Sequence, residues 1–226
     1  MSHPLDRPVW SALTSGQAYL AEGRDLALRF PADHGPFAAM ARQDSECEAA
    51  LIDLVPPGSQ TWMIEHNPPA LPAGLSLVSS APINQMWLKA LTPAPRSGIE
   101  ILPLGEDDAV EMLALATLTR PGPFVARTHR LGRFVGVRQD GHLIAMAGER
   151  MKPAGFTEVS AVCTHPDARG RGYAGLLMRE VIGRILARGE LAFLHTYPDN
   201  APAIALYEAL GFSKRQDMNA LIFERP

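Results

Sequence analysis

The sequence predicts a mixed α+β chain, in which a mostly antiparallel sheet is flanked by helices and preceded by a smaller α/β segment. Three observations carry that reading. An Asp140-Gly141 pair joins two apolar strand-like runs, a glycine-rich turn opens a helix at Tyr173, and a proline-rich first half is broken into short apolar runs. Thr92 to Gly98, TPAPRSG, separates the two patterns and sets an expected division into an accessory domain, residues 1–95, and a second domain, residues 96–226.

Taken in order, Phe37, Met40, Ala41, Ala49, Leu51 and Ile52 predict a helix over Pro36 to Leu54, although the polar DSEC stretch interrupts its stripe. Thr61 to Ile64 and Leu75 to Val78 read as strands between prolines. Past the division, Ile99 to Leu104 is a short strand, and Asp107 is placed to cap a helix running through Val110, Leu113 and Leu118 to Pro121. Phe134 to Val137 and Leu143 to Ala147 form a hairpin, because Asp-Gly supplies the positive φ angles of a type I′ turn. Pro153 to Gly155 turns the chain into a further strand, Thr157 to Thr164. A helix from Tyr173 to Arg188 shows Leu177, Val181, Ile185 and Leu186 at helical spacing, with Gly189 as its stop. Leu191 to His195 is a strand, Ala201 to Leu210 a helix closed by Gly211, and the remainder has room for two short strands.

Bulk properties exclude several function classes. The chain has 226 residues, 46% hydrophobic and 20% charged, with a net charge of −3, so it offers no general attraction to nucleic acid or to an anionic membrane. Its two cysteines, Cys47 and Cys163, lie far apart and lack metal-ligand spacing, and His129, His142 and His165 are scattered on turns, so no metal is expected. No apolar run approaches the roughly 20 residues of a membrane span, and a cytoplasmic protein is the expectation.

The chemistry concentrates at Arg169-Gly170-Arg171-Gly172-Tyr173-Ala174, between a strand and a helix. Unpaired amides and the positive end of a helix dipole make such a turn an anion site, glycines let the backbone approach closely, and arginines add charge. An ordinary loop with solvated arginines is the plain alternative. A nucleotide P-loop is excluded, since no Gly-Lys-Ser/Thr follows.

Together, VCTHPDARGRGYAGLLM and NAPAIALYEALGF resemble the two signature segments of the GCN5-related N-acetyltransferase (GNAT) superfamily, with Arg169, Gly172 and Ala174 on its Gln/Arg-x-x-Gly-x-Gly/Ala pattern. The resemblance covers Ile99 to Pro226, and its details look like the FR47-like or glycine-N-acyltransferase-like branch. It implies a twisted, mostly antiparallel sheet, acetyl-CoA as cosubstrate, and direct acetyl transfer to an amine. It also implies pyrophosphate on Gly170 to Gly175, the pantetheine arm paired with Val162, Cys163 and Thr164, and a cofactor contact at Asn200, which can also cap its helix.

Amide formation from a thioester needs a neutral amine, a proton acceptor, an oxyanion donor and a proton for the leaving thiolate. The resemblance places Tyr207 as the thiolate's acid and Glu158 as the base of histone-type members. Tyr207 also fits as a core aromatic on its helix face, and Glu158 as a solvated strand carboxylate. Glu158, four residues before Val162, shares its face if the strand stays regular, and burial there is expected to raise its pKa. Glu149, His195 and water are the other proton acceptors. The oxyanion donor implied is a backbone amide near Val162. Cys163 reads as a small core hydrophobe rather than a nucleophile. Acceptor specificity is expected from Arg120 to Gly132 and from parts of the first 95 residues. A transferase for longer acyl chains and a non-catalytic acyl-CoA-binding module are the rival readings.

Overall fold

The computed structural model describes residues 3–93 and 97–226, so the expected division at Thr92 to Gly98 falls partly outside the described residues. The first part of the chain forms α1 (Pro8–Leu13), a small antiparallel sheet of β1 (Glu22–Arg24), β2 (Ala27–Arg29) and β3 (Ala38–Met40), and α2 (Ser45–Leu54). The helix expected over Pro36 to Leu54 is therefore confined to its second half. The DSEC stretch starts it: the Asp44 carboxylate accepts from the Cys47 amide at 2.9 Å as a cap, and residues 38–40 pair in the small sheet instead.

The main sheet has eight strands. These are β4 (Gln60–Glu65), β5 (Ser76–Leu88), β6 (Leu102–Leu104), β7 (Phe134–Gln139), β8 (His142–Glu149), β9 (Phe156–Thr164), β10 (Leu191–Thr196) and β11 (Phe212–Glu224), in the order β4-β11-β5-β10-β9-β8-β7-β6. All neighbours are antiparallel except β9 and β10. Strands from before and after residues 94–96 thus share one sheet, and β5 lies between β10 and β11. α3 (Ala109–Thr119), α4 (Tyr173–Ala187) and α5 (Ala201–Leu210) complete the described helices.

Several boundaries differ from the sequence reading for local reasons. β5 runs to Leu88, far beyond Val78, because its pairing with β11 continues through Pro82. β11 is one strand, not two, since a bulge between Lys214 and Gln216 lets it bend without ending. Before α3, Glu106–Asp108 forms a 3₁₀ turn in which Asp108, not Asp107, accepts from the Gly105 amide at 2.9 Å.

The helices fix the layers. α4 packs Leu177, Val181 and Ile185 on Val135, Ala147, Val159 and Leu194, whereas α3 packs Met112 and Leu115 on Phe134, Met146 and Cys163. The two helices therefore cover opposite faces of the same strands. The first half adds Leu5, Val9, Phe37, Ile64 and Ile83 to a third cluster with Phe193 and Met218.

Candidate functional site

β9 and β10 create the site by parting. Their parallel pairing holds only at Phe156 to Glu158 against Leu191 to Phe193, so Val159 to Thr164 and Leu194 to Thr196 face a gap between the strands. A bulge in β9 sets its shape: Gly148 opposes Ser160 and Met146 opposes Cys163, leaving two residues of β9 against one of β8, with Ala161 at φ 52°. The bulge reverses the alternation of side chains. Val159 lies in the α4 cluster, but Ala161 and Cys163, also odd-numbered, lie in the α3 cluster, and Val162 packs on the α4 side.

Glu158 and Val162 consequently occupy opposite faces, contrary to the expectation from a regular strand. Glu158 is 1% exposed and accepts from Arg150 Nε and Nη2, each at 2.8 Å, and pairs with His195 Nδ1 at 2.8 Å. Burial pushes this carboxyl up, but the charge and hydrogen bonds of Arg150, then those of His195, outweigh it and hold the pKa at about 2. The expected upward shift is overturned: a carboxylate this strongly held is a poor proton acceptor near neutrality.

His195 is locked from both sides. Gln85 Oε1 accepts from Arg215 at 2.8 Å, which directs its amide nitrogen toward the Leu5 carbonyl at 2.8 Å and His195 Nε2 at 3.1 Å. Nε2 is then an acceptor, and the Nδ1 hydrogen points to Glu158. Glu149 sits elsewhere, beside Arg188 at the end of α4, with Nη2 2.9 Å from Oε1 and Lys152 Nζ 3.0 Å from Oε2 in an ion pair without hydrogen-bond alignment.

At one end of the gap, the glycine-rich turn lines a cavity of about 250 Å³ together with Thr164 and Leu206. Its wall runs through Arg169, Gly170, Arg171, Gly172, Tyr173, Ala174 and Gly175. Gly170 and Gly172 have φ of 77° and 80°, and a Cβ on either would meet no protein atom within 4 Å. Glycine is thus needed there for conformation and for the open space above it. Among the described residues no side chain caps the N-terminus of α4, so its first amides face an anion-sized space with their dipole. Arg171 donates to Gln139 Oε1 and the Asp167 carbonyl, both at 3.2 Å.

At the other end lies a cavity of about 320 Å³, lined by Val162, His195, Asn200 and Tyr207 and, from the opposite side, by Phe37, Trp62, Ile64, Ile83, Arg120 and Arg150. It connects the two faces of the sheet where the strands part. Burial raises the Tyr207 pKa, so the phenol keeps its proton at neutral pH, and its hydroxyl makes no hydrogen bond among the described residues. Asn200 caps α5 through the Ala203 amide at 3.4 Å. Burial also pushes the Cys163 thiol up to about 11, which keeps it protonated and unsuited to nucleophilic attack.

Sequence reading did not single out Arg150, Gln85 or the apolar wall, because they belong to no motif and meet the site only through the sheet order. Arg120 opens an Arg-Pro-Gly-Pro run, the one local signal of a stiff loop.

Comparison with known proteins agrees with this geometry. The FR47-like protein family matches residues 134–221. A solved GNAT-family protein from Novosphingobium aromaticivorans is 44% identical, with both chains fully covered and a TM-score of 0.92. A GCN5-related N-acetyltransferase from Kribbella flavida, 20% identical, shares the fold at a TM-score of 0.67, with 100% of this chain and 97% of the other covered. N-alpha-acetyltransferase RimI of Mycobacterium tuberculosis is 35% identical over 85 residues, which are 36% of this chain and 52% of RimI, so the match spans about half of that relative.

Proposed function

The chain belongs to the GCN5-related N-acetyltransferase family, and from that premise we propose that it transfers the acetyl group of acetyl-CoA to a primary amine. The observation that carries the reading is the parted β9–β10 gap, which joins a glycine-rich turn at a helix N-terminus to a phenol without a hydrogen-bond partner among the described residues. The residues present fit the donor. The amides of Gly170 to Gly175 and the N-terminus of α4 hold a pyrophosphate, and the unpaired edge at Val162 to Thr164 hydrogen-bonds an extended amide chain as a further strand would.

Each proton then has a place. The backbone beside Val162, turned by the bulge, supplies the amide that meets the developing oxyanion. Tyr207 gives its proton to the departing sulfur. Glu158 serves as the anchor that orients Arg150 and His195, and water takes the amine's proton. Phe37, Trp62, Ile64 and Ile83 from the first 95 residues form the acceptor side, which gives that segment its part in the reaction.

Release of free CoA from acetyl-, propionyl- and longer acyl-CoA, with and without a panel of amines, tests the proposal. The expected result is amine-dependent release that is fastest with acetyl-CoA. Tyr207→Phe keeps the ring and its packing on Phe212. General acid catalysis contributes roughly 10²- to 10⁴-fold, so kcat is expected to fall by at least tenfold, with KM for acetyl-CoA within a few-fold of the parent. Binding of acyl-CoA without turnover of any amine would favour a non-catalytic module, and preference for long chains would revise the donor.

A further inference from the structure

We infer that the acceptor is a free α-amino acid with an apolar side chain, its carboxylate held by Arg120 and Arg150 and its side chain by the wall of Phe37, Trp62, Ile64 and Ile83; this rests on the acetyltransferase reading above.

Among the described residues no Asp or Glu lines the pocket, whereas two arginines do. Arg150 spends Nε and Nη2 on Glu158 and stacks its guanidinium 4.7 Å from the centre of the Phe37 ring, and its Nη1 lies 3.9 Å from where a Cβ on Gly122, at the pocket rim, would stand. The Arg120 side chain makes no ion pair or hydrogen bond among the described residues, and the residue's backbone amide closes α3 on the Ala116 carbonyl at 2.8 Å. It ends α3 in a left-handed conformation, φ 51°, and is followed by Pro121, Gly122 and Pro123, so a strained residue on a stiff loop carries the side chain to the pocket mouth.

That arrangement selects against polycationic acceptors, since a second ammonium would meet guanidinium and no carboxylate. It suits an amine that brings its own anion. A carboxylate pairs with Arg120 and Arg150 Nη1, and the same positive charges disfavour the ammonium form of the amine and so favour the neutral nucleophile. The wall of Phe37, Trp62, Ile64 and Ile83 is aromatic and aliphatic, the polar groups of His195, Thr196 and Asn200 lie beside Tyr207, and about 320 Å³ is at the small end of the roughly 300–1,000 Å³ range of ligand pockets. One residue fits that space better than a peptide.

The step balances. The amine nitrogen forms a bond to the thioester carbonyl carbon, the carbon–sulfur bond breaks, Tyr207 protonates the sulfur, and the nitrogen's proton passes to water, from which the phenol is restored. The products are an N-acetyl amino acid and free CoA.

The test uses the full chain with acetyl-CoA and compares leucine and phenylalanine with 3-methylbutylamine, 2-phenylethylamine, leucinamide and a leucine-initiated peptide amide. We expect kcat/KM for the two amino acids to exceed that of the matched amines at least tenfold. Arg120→Ala is expected to remove that preference by raising KM for the two amino acids at least tenfold, with a smaller effect on the matched amines. Arg120→Gly, which relieves the left-handed strain, is expected to do the same, so a folding defect is separable from a lost contact. Equal rates on leucine and 3-methylbutylamine, preference for the peptide amide, or an unselective effect of both variants would overturn the acceptor class. Titration with CoA alone distinguishes the two levels: parent protein that binds CoA but ignores amino acids refutes only this inference, whereas parent protein that binds no CoA refutes the donor reading and this inference together.

Discussion

Glu158 is the most tightly held ionisable group near the gap, and its removal has consequences for stability before chemistry. Glu158→Gln leaves the Arg150 guanidinium buried without its partner, and breaking a buried pair in this way costs about 3–5 kcal/mol. Denaturant unfolding should show that loss at pH 7. The sign of the pH dependence follows from a folded-state pKa depressed to about 2 against an ordinary 4.5. The stabilisation is fully present above the unfolded value and disappears as pH falls from about 4.5 toward 2, so the difference between parent and variant should narrow in that window. The same depressed value means that Glu158 contributes no acidic limb to kcat/KM between pH 5 and 9. That limb should instead follow the acceptor amine and move when an amine of different pKa is supplied. A limb that stays fixed across such amines would return an enzyme group to the role of base.

Among the elements, the turn between α5 and β11 is one place where the chain before and after residues 94–96 meets in close contact. Gly211 closes α5 at φ 102°, its carbonyl accepts from the Lys89 amide at 2.9 Å, and a Cβ on it would lie 1.8 Å from the Ala90 carbonyl oxygen. Gly211→Ala adds a left-handed penalty of about 1–2 kcal/mol to that clash and forces β5 away from β11, so a loss of at least about 2 kcal/mol is expected in chemical denaturation. An unchanged midpoint would show that the contact is easily relieved. Elements specified locally were legible in the sequence: α5 begins at its Asn200 cap and ends at Gly211, and the Asp140-Gly141 hairpin has both residues at positive φ. Elements specified by partners were not. Nothing in the order of residues 76–88 shows that β11 will pair with them along their length, and nothing around Ala161 signals the bulge that turns Glu158 and Val162 to opposite faces. For the same reason the position of the glycine-rich turn before α4 and the place of Tyr207 on α5 were readable, whereas Arg150, Gln85 and the Glu158 pKa depend on groups brought together by the sheet.

At the scale of the molecule, the proposed donor and acceptor sites lie on the two faces of one sheet and meet where two strands part. Residues 3–93 are built into this arrangement, because β5 stands between β10 and β11 and Trp62, Ile64 and Ile83 reach the pocket from that segment. The account therefore stands on the donor lying along the β9–β10 gap with its pyrophosphate on the turn at Gly170 to Gly175. Calorimetric titration with CoA measures that claim directly, in the parent chain and in Gly172→Val, where a β-branched side chain fills the open space above the turn and strains a φ of 80°. We predict one CoA per chain for the parent, an accompanying rise in thermal stability of about 2.7 kcal/mol at a hundredfold excess over Kd, and loss of both in a variant that remains folded. Absence of binding at millimolar CoA, or undiminished binding by folded Gly172→Val, would contradict it.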